Sequence, residues 1–98
     1  MIFAFSITPL GVGEHVSDYV ADAVRVVRAS GLPNRTDALF TSIEGEWDEV
    51  LPVIKQAVDA VTARAPRASL TLKADLRPGV RGGLTGNVES VERRLAGG

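Results

Sequence analysis

The stretch NRTDALFTSIE, residues 34–44, decides which fold the chain can form. Its composition is typical of β-strand, but its apolar and polar residues do not keep one alternation from end to end, as a single half-buried strand requires. We interpret it as two short strands, about 34–37 and 40–44, joined by a tight link or bulge near Ala38 and Leu39. A tight link makes two such strands antiparallel neighbours.

A strand and a helix precede this stretch. Residues 2–8, IFAFSIT, alternate strictly between apolar and small or polar side chains, which indicates a half-buried strand. Apolar residues then recur at helical spacing from Val16 to Val27. Gly31, with Pro33 just beyond it, is typical of a helix C-terminus.

A second helix follows the deciding stretch. It opens at Gly45, and its apolar stripe runs from Trp47 to Val61. Pro52 lies inside the stripe, where a proline removes a backbone hydrogen bond, so the helix is expected to start late or to kink there.

The strand pattern is clearest near the C-terminal end of the chain, in SLTLKADLR, residues 69–77. Strict alternation predicts that one set of residues faces the helices and the other faces away. The helix-facing set is Leu70, Leu72, Ala74 and Leu76, and the opposite set includes Thr71, Lys73 and Asp75. In the last segment, LTGNVESVERRL, Val88, Val91 and Leu95 share one helical face, and Asn87 is the expected N-cap.

The resulting order, β-α-β-β-α-β plus a C-terminal helix, predicts one domain over residues 1–98 with an α+β, ferredoxin-like sandwich. The helices cover one face of the sheet, and nothing else in the chain can cover the other. That open face carries Ala4, Ser6 and Thr8 from the first strand. A solvated face and a shallow ligand pocket completed by another subunit both remain open interpretations.

Composition narrows the classes of function. The chain has 98 residues, a net charge of −1 and no cysteine, which excludes disulfides and thiolate chemistry and argues against zinc. It has no apolar run of membrane-spanning length and begins with a strand pattern rather than a signal peptide, so a cytoplasmic protein without membrane insertion is expected. Basic residues without interleaved aromatics argue against nucleic-acid binding.

Four acids lie within six residues around the single tryptophan, in FTSIEGEWDEVL, residues 40–51. Glu46, Asp48 and Glu49 are explained by the first turn of a helix, whose dipole they complement. Trp47 lies on the apolar stripe and is expected in the core. Glu44 differs, because it ends a strand before a glycine and its carboxylate could point into a cavity. The segment lacks the alternating oxygen ligands of a calcium loop.

Two other motifs carry weak signals. Gly11-Val12-Gly13 is better explained as a tight turn than as a phosphate cradle, because the full G-x-G-x-x-G pattern is absent. His15, the single histidine, stands beside this turn and has no cysteine or second histidine with which to share a metal. We therefore predict no metal site and no catalytic residues.

Several segments in fixed order resemble a known family. They are FSITPLGVGE, SDYVADAVRVVRASGL, TSIEGEWDEV, LKADLRPG and LTGNVESVERRL. Together they cover nearly the entire chain and resemble a family of roughly 100-residue thiamine-binding proteins. The resemblance implies a ferredoxin-like fold, assembly as a homotetramer (a dimer of dimers formed through the sheets), and binding of thiamine or its hydroxymethylpyrimidine moiety.

The resemblance also directs attention to a ligand site on the open sheet face, near a subunit contact. Where the family often has T-P-M-G-T before its I-E-G-E-W box, this chain has Asp37-Ala38-Leu39-Phe40-Thr41. The predicted ligand-binding residues are Ser6, Thr8, Asp37, Phe40, Thr41 and Glu44. Their carboxylates could receive an amino group or offset a positive charge, and their hydroxyls could bond ring nitrogens.

The resemblance implies a binding protein for salvage, transport or storage. An enzyme is disfavoured by the residues themselves, since no nucleophile or matched acid–base pair is present. Thiamine would be a bound ligand, and no catalytic cofactor is expected. A regulatory or interaction subunit that does not bind thiamine is the alternative.

Overall fold

The computed structural model describes residues 1–14 and 16–97, which form an antiparallel sheet with helices on one side and a further helix at the C-terminal end. The elements are β1 (Ile2–Leu10), α1 (Ser17–Ala29), β2 (Asn34–Thr36), β3 (Thr41–Glu44), α2 (Trp47–Thr62), β4 (Arg67–Asp75) and α3 (Gly83–Gly97). The strand order is β2-β3-β1-β4. This confirms the predicted ferredoxin-like fold with an extra C-terminal helix. His15 lies outside the described residues.

The core lies between the sheet and the pair α1 and α2. Phe3, Phe5 and Ile7 alternate along β1 and are buried on the side that faces these helices. Ile43 of β3 is fully buried opposite Phe3, with which it pairs. The helices contribute apolar residues at helical spacing: Ala23, Val27, Val50, Ile54, Ala57 and Val61. Burial of this set is the main term that stabilises the fold.

The deciding stretch forms the predicted hairpin. The backbone N–H of Asp37 donates to the carbonyl oxygen of Phe40 at 2.9 Å, and Ala38 and Leu39 form the two-residue loop between them. The strands are shorter than predicted, because Asp37 and Phe40 close the loop and lie just outside β2 and β3.

The register of β4 against β1 confirms most of the predicted alternation. Leu70, Leu72 and Ala74 lie opposite Ile7, Phe5 and Phe3, on the helix side of the sheet. Thr71, Lys73 and Asp75 lie on the open face, opposite Ser6, Ala4 and Ile2. The prediction for Leu76 is wrong, because β4 ends at Asp75 and Leu76 is exposed beyond it.

Helix α2 runs without interruption from Trp47 through Pro52 to Thr62, so it does not start late. Trp47 is not a core residue as predicted: it packs its ring against Phe3 at a centroid distance of 5.4 Å, but 45% of the residue is exposed. The tight turn after β1 is confirmed by Gly11, whose φ is +80°, and a Cβ there would lie 2.9 Å from Pro66.

Helix α3 begins earlier than predicted. Asn87 is not its N-cap, because the helix starts at Gly83. The physical reason is a hydrogen bond from the sheet: the backbone N–H of Gly83 donates to Oε1 of Glu44 at 2.8 Å. This carboxylate satisfies an N–H that a side-chain cap would otherwise have to bond. No residue of α3 is buried.

An ion pair fixes the two core helices to each other. Asp22 of α1 accepts hydrogen bonds from Arg64, which follows α2, and from Arg25. The Arg64 hydrogen bond, opposed by some burial, holds the pKa of Asp22 below its usual value. The Arg64 guanidinium also lies 4.8 Å from the centroid of the Tyr19 ring, a cation–π contact that fixes the same joint.

Candidate ligand-binding site

A cleft lies beside the part of β1 that extends beyond its neighbour β3. β1 has nine residues and pairs with β4 along its full length, but β3 pairs only with Ile2–Phe5. The last pair on the β3 side joins Phe5 to Thr41, after which the hairpin turns away. The rest of β1 therefore has an unpaired side, and the cleft occupies the space between it, α1 and the hairpin loop.

The cleft encloses about 300 Å³, at the lower end of the range for small-molecule pockets. Helix α1 supplies an aliphatic wall, β1 supplies two hydroxyls between two apolar side chains, and the hairpin supplies a carboxylate and an aromatic ring. The lining residues are Phe5, Ser6, Ile7, Thr8, Val16, Val20, Ala23, Val24, Thr36, Asp37, Ala38, Leu39, Phe40 and Thr41. This combination suits a flat, partly polar organic molecule.

The cleft brings together five of the six predicted site residues: Ser6, Thr8, Asp37, Phe40 and Thr41. It does not lie wholly on the open sheet face, as predicted. Ser6 and Thr8 face that side, whereas Thr41 lies opposite the buried Phe5 on the helix side. Both sides contribute because an unpaired strand can be reached from either face of the sheet.

The backbone of β1 also points into the cleft. The carbonyl oxygen of Met1 accepts a hydrogen bond from the N–H of Gly45, so Phe3 and Phe5 form the next hydrogen-bonded pairs with β3. The residue that continues this alternation is Ile7, which has no β3 residue opposite it. Its N–H and C=O therefore face the cleft as a donor and an acceptor. Pro9, with the same orientation, has no N–H to offer.

Charge in the cleft comes from Asp37, the one ionisable group among the lining residues that the structure describes. Its Oδ1 lies 3.5 Å from Nε of Arg35, and both side chains are more than half exposed. An exposed pair at this distance is weak, because water screens it and both side chains lose rotamer freedom. A cationic ligand can therefore displace Arg35 from Asp37 at small cost.

Glu44 is not brought to the cleft. It is buried at the opposite end of β3, where it accepts the Gly83 N–H described above and joins the start of α3 to the sheet. It lies three positions after Thr41, which amounts to roughly 10 Å along a strand. The observed contact of this carboxylate is thus with the chain itself.

The other acids of the box have the predicted positions at the start of α2. Asp48 and Glu49 lie in the first turn, and Oε1 of Glu49 accepts the N–H of Glu46 at 2.9 Å. That hydrogen bond, with a smaller contribution from Arg81, lowers the pKa of Glu49. These carboxylates stabilise a helix terminus and do not line the cleft.

Sequence reasoning missed the aliphatic wall and Thr36. The helical spacing from Val16 to Val27 predicts one apolar stripe, but within it Val20 is exposed, and Val20 and Val24 both line the cleft. The signal was a stripe on α1 wider than one buried face requires. Thr36 adds a hydroxyl beside Asp37, and only the hairpin geometry places it there.

Residues 1–14 and 16–97 contain no group of three or more His, Cys, Asp or Glu side chains placed to hold a metal ion. None of the helices described in that part of the chain has the length and apolar character needed to cross a membrane.

Comparisons with known proteins identify the family. The sequence model of the family described as thiamine-binding protein matches residues 3–92. The UPF0045 protein Mb1933 of Mycobacterium bovis is 58% identical over 96 residues, which cover 97% of this chain and 94% of that protein. The chain therefore belongs to the thiamine-binding protein family.

Solved structures agree with the fold. The hypothetical protein MJ1052 of Methanocaldococcus jannaschii superposes with a TM-score of 0.85 at 32% identity, over 93% of this chain and 94% of that one. A Thermotoga maritima protein that has been linked to thiamine biosynthesis or salvage superposes with a TM-score of 0.77, over 90% of this chain and 96% of that one. Its 17% identity supports the shared fold alone.

Proposed function

We propose that this protein is a non-catalytic binding protein for thiamine or its hydroxymethylpyrimidine moiety, serving salvage, transport or storage in the cytoplasm. The observation that carries the proposal is the cleft, in which one carboxylate, several hydroxyls and an aliphatic wall meet around about 300 Å³. Family membership supports the same ligand class.

The chemistry of the ligand matches the lining. Thiamine carries a permanent positive charge and an aminopyrimidine ring. The Asp37 carboxylate can accept from the amino group or offset the charge, and the Ser6 and Thr8 hydroxyls can bond ring nitrogens. The backbone of Ile7 adds a donor and an acceptor side by side. The Phe40 ring can contribute a cation–π contact worth about 0.5–2 kcal/mol.

The described lining residues support a non-catalytic role. Of the described lining residues, none is a Lys, Cys or His, and Asp37 is the sole base beside the hydroxyls. A hydroxyl without an adjacent base and an orienting group is a weak nucleophile. The residues that the structure describes around the cleft can hold a ligand, and they offer no acid–base pair for a reaction.

We propose further that the protein assembles as a homotetramer, a dimer of dimers. The open sheet face presents Ala4, Ser6, Thr71 and Lys73, a surface that a second copy can cover. A second copy placed against this face would also lie beside Thr8, at the rim of the cleft.

Calorimetric titration of the purified protein with thiamine, thiamine phosphates and hydroxymethylpyrimidine tests the function. We expect one thiamine bound per chain. If the folded protein binds none of these at millimolar concentration, the interaction-subunit function replaces the binding function. That alternative has an observation of its own, because Leu39 at the hairpin tip is 78% exposed and could contact a protein.

Replacement of Arg35 by alanine should strengthen thiamine binding by roughly 1.4- to 5-fold. The variant removes the cation that competes for Asp37, and exposed pairs of this kind are worth about 0.2–1 kcal/mol. Arg93→Ala on α3 removes the same charge far from the cleft and should leave affinity unchanged. Equal affinities for Arg35→Ala and the unmodified protein would show that Asp37 does not meet the cation.

A further inference from the structure

A second apolar surface lies far from the cleft, between α2 and the edge strand β4. It forms an open groove of about 640 Å³. We call it the α2–β4 groove, and its apolar residues are Trp47, Leu51, Pro52, Ile54, Val58, Leu70 and Leu72. Asp48 and Lys55 are the charged residues that line it.

The groove exists because α2 does not cover the edge of the sheet. Leu70 and Leu72 point to the helix side but remain 43% and 41% exposed, and Trp47 is 45% exposed beside them. Large apolar residues at successive inward positions of a strand are typical of a covered face, not of a solvated one. A contiguous exposed apolar patch of this kind marks an interaction site.

Helix α3 carries a matching apolar stripe. Leu84, Val88, Val91 and Leu95 follow one another at spacings of four, three and four residues, which places them on one face. Val88, Val91 and Leu95 are at least half exposed. We call this set the α3 stripe. A different face of the helix, with Gly83, Gly86 and Ser90, is the less exposed one.

The α3 stripe cannot reach the α2–β4 groove of its own chain. The helix starts at Gly83, where the N–H donates to Glu44 and a Cβ would lie 3.0 Å from the Ile2 side chain. Ile2 and Glu44 pair with each other and share the open face of the sheet with Asp75. The groove lies on the opposite side, under α2. Each chain thus has an α3 stripe and an α2–β4 groove that cannot contact each other within that chain. They can contact each other only between two copies.

We propose that the α3 stripe of one copy docks in the α2–β4 groove of a second copy, and that the second copy returns the same contact. The groove runs from Trp47 to Val58 along α2, and the stripe runs from Leu84 to Leu95. Each span covers eleven helical steps, about 16 Å, so the two surfaces match in length. An amphipathic helix in an apolar groove is a recurrent mode of recognition.

A stable interface also has to bury enough surface. Specific interfaces bury about 1,200–2,000 Å² in total, which favours a reciprocal contact over a single helix in a single groove. A two-fold pair engages two helices and two grooves, which doubles the buried surface. A dimer of dimers requires two different two-fold contacts, and this one would be distinct from contact through the open sheet face.

The first test compares the mass of two α3 variants by light scattering at about 100 µM. Val91→Glu places a charge in the middle of the α3 stripe and should halve the mass of the unmodified assembly. Arg93→Glu changes the charge more, on the opposite face of the helix, and should keep the full mass. Because α3 contains no buried residue, circular dichroism should show both variants fully folded. A monomeric unmodified protein, or a Val91→Glu variant of full mass, would overturn the proposal.

The second test uses the absence of cysteine from the chain. Protein with Val91→Cys is mixed with protein that carries Leu72→Cys, and the mixture is oxidised. We expect a disulfide between the two variants, whereas Gln56→Cys, on an exposed part of α2 outside the groove, should not link to Val91→Cys. Links only between two Val91→Cys chains would instead show α3 against α3 and would refute docking in the groove. Neither test depends on thiamine binding.

Discussion

Replacing Asp37 with asparagine should weaken thiamine binding roughly ten-fold or more and should weaken binding of neutral hydroxymethylpyrimidine less. The substitution keeps the shape of the side chain but removes the single charge among the described lining residues of the cleft. A hydrogen bond to a charged group is worth about 1.5–3 kcal/mol, and about 1.4 kcal/mol corresponds to a factor of ten in the dissociation constant. Parallel calorimetric titrations of both ligands measure the difference.

Glu44→Gln is the matched control for Asp37→Asn. It makes the same chemical change in the same hairpin, at a carboxylate that bonds Gly83 and does not line the cleft. Its ligand affinity should equal that of the unmodified protein, while its stability falls by about 1 kcal/mol as the charge-assisted hydrogen bond weakens. Thiamine affinity that survives Asp37→Asn in a folded protein would remove Asp37 from the site, and a loss on Glu44→Gln would bring Glu44 back.

Replacing Phe3 with alanine should lower the free energy of unfolding by about 3–5 kcal/mol. Phe3 is fully buried at the centre of β1, with Ile43 opposite it and the Trp47 ring against it. Truncation removes the transfer free energy of the ring and leaves a cavity that the paired strands on both sides cannot close. Urea denaturation followed by circular dichroism should show a lower midpoint with an unchanged slope.

Phe40→Ala distinguishes a phenylalanine that lines the cleft from one that lies in the core. Phe40 is 37% exposed at the end of the hairpin loop, so Phe40→Ala should change stability by no more than about 1 kcal/mol. It should instead reduce ligand affinity, since the ring lines the cleft. A Phe3→Ala variant that is destabilised no more than Phe40→Ala would contradict the central place given to Phe3.

Strand alternation and helical periodicity together predicted the order of elements and hence the fold, and the period-two patterns in β1 and β4 fix which side chains face the helices. Local signals also found the hairpin and the turn at Gly11. They failed where a distant residue determined the local structure. Helix α3 starts at Gly83 because Glu44, thirty-nine residues earlier, accepts its N–H. Nothing in the sequence near Asn87 reports that contact.

The site was predictable in its residue types but not in its position. Hydroxyls, a carboxylate and an aromatic ring near the hairpin were visible in the sequence, whereas the cleft depends on the difference in length between β1 and β3. Strand lengths are the least reliable part of a prediction from sequence, because strand ends are set by tertiary pairing. The exposure of Trp47 was also determined by tertiary packing. The sequence does not show that α2 leaves the edge strand β4 uncovered.

The unpaired length of β1 has one more consequence. The unpaired backbone groups of a strand can hydrogen-bond to a strand of another chain, which is a common origin of aggregation. On β1 such pairing is limited to one residue. Ile7 can form backbone hydrogen bonds with an added strand, but Pro9, the next residue with the same orientation, has no N–H to donate. The unpaired side of β1 can therefore bind a small molecule through two backbone hydrogen bonds. It cannot pair with another polypeptide strand, which requires a continuous ladder of them.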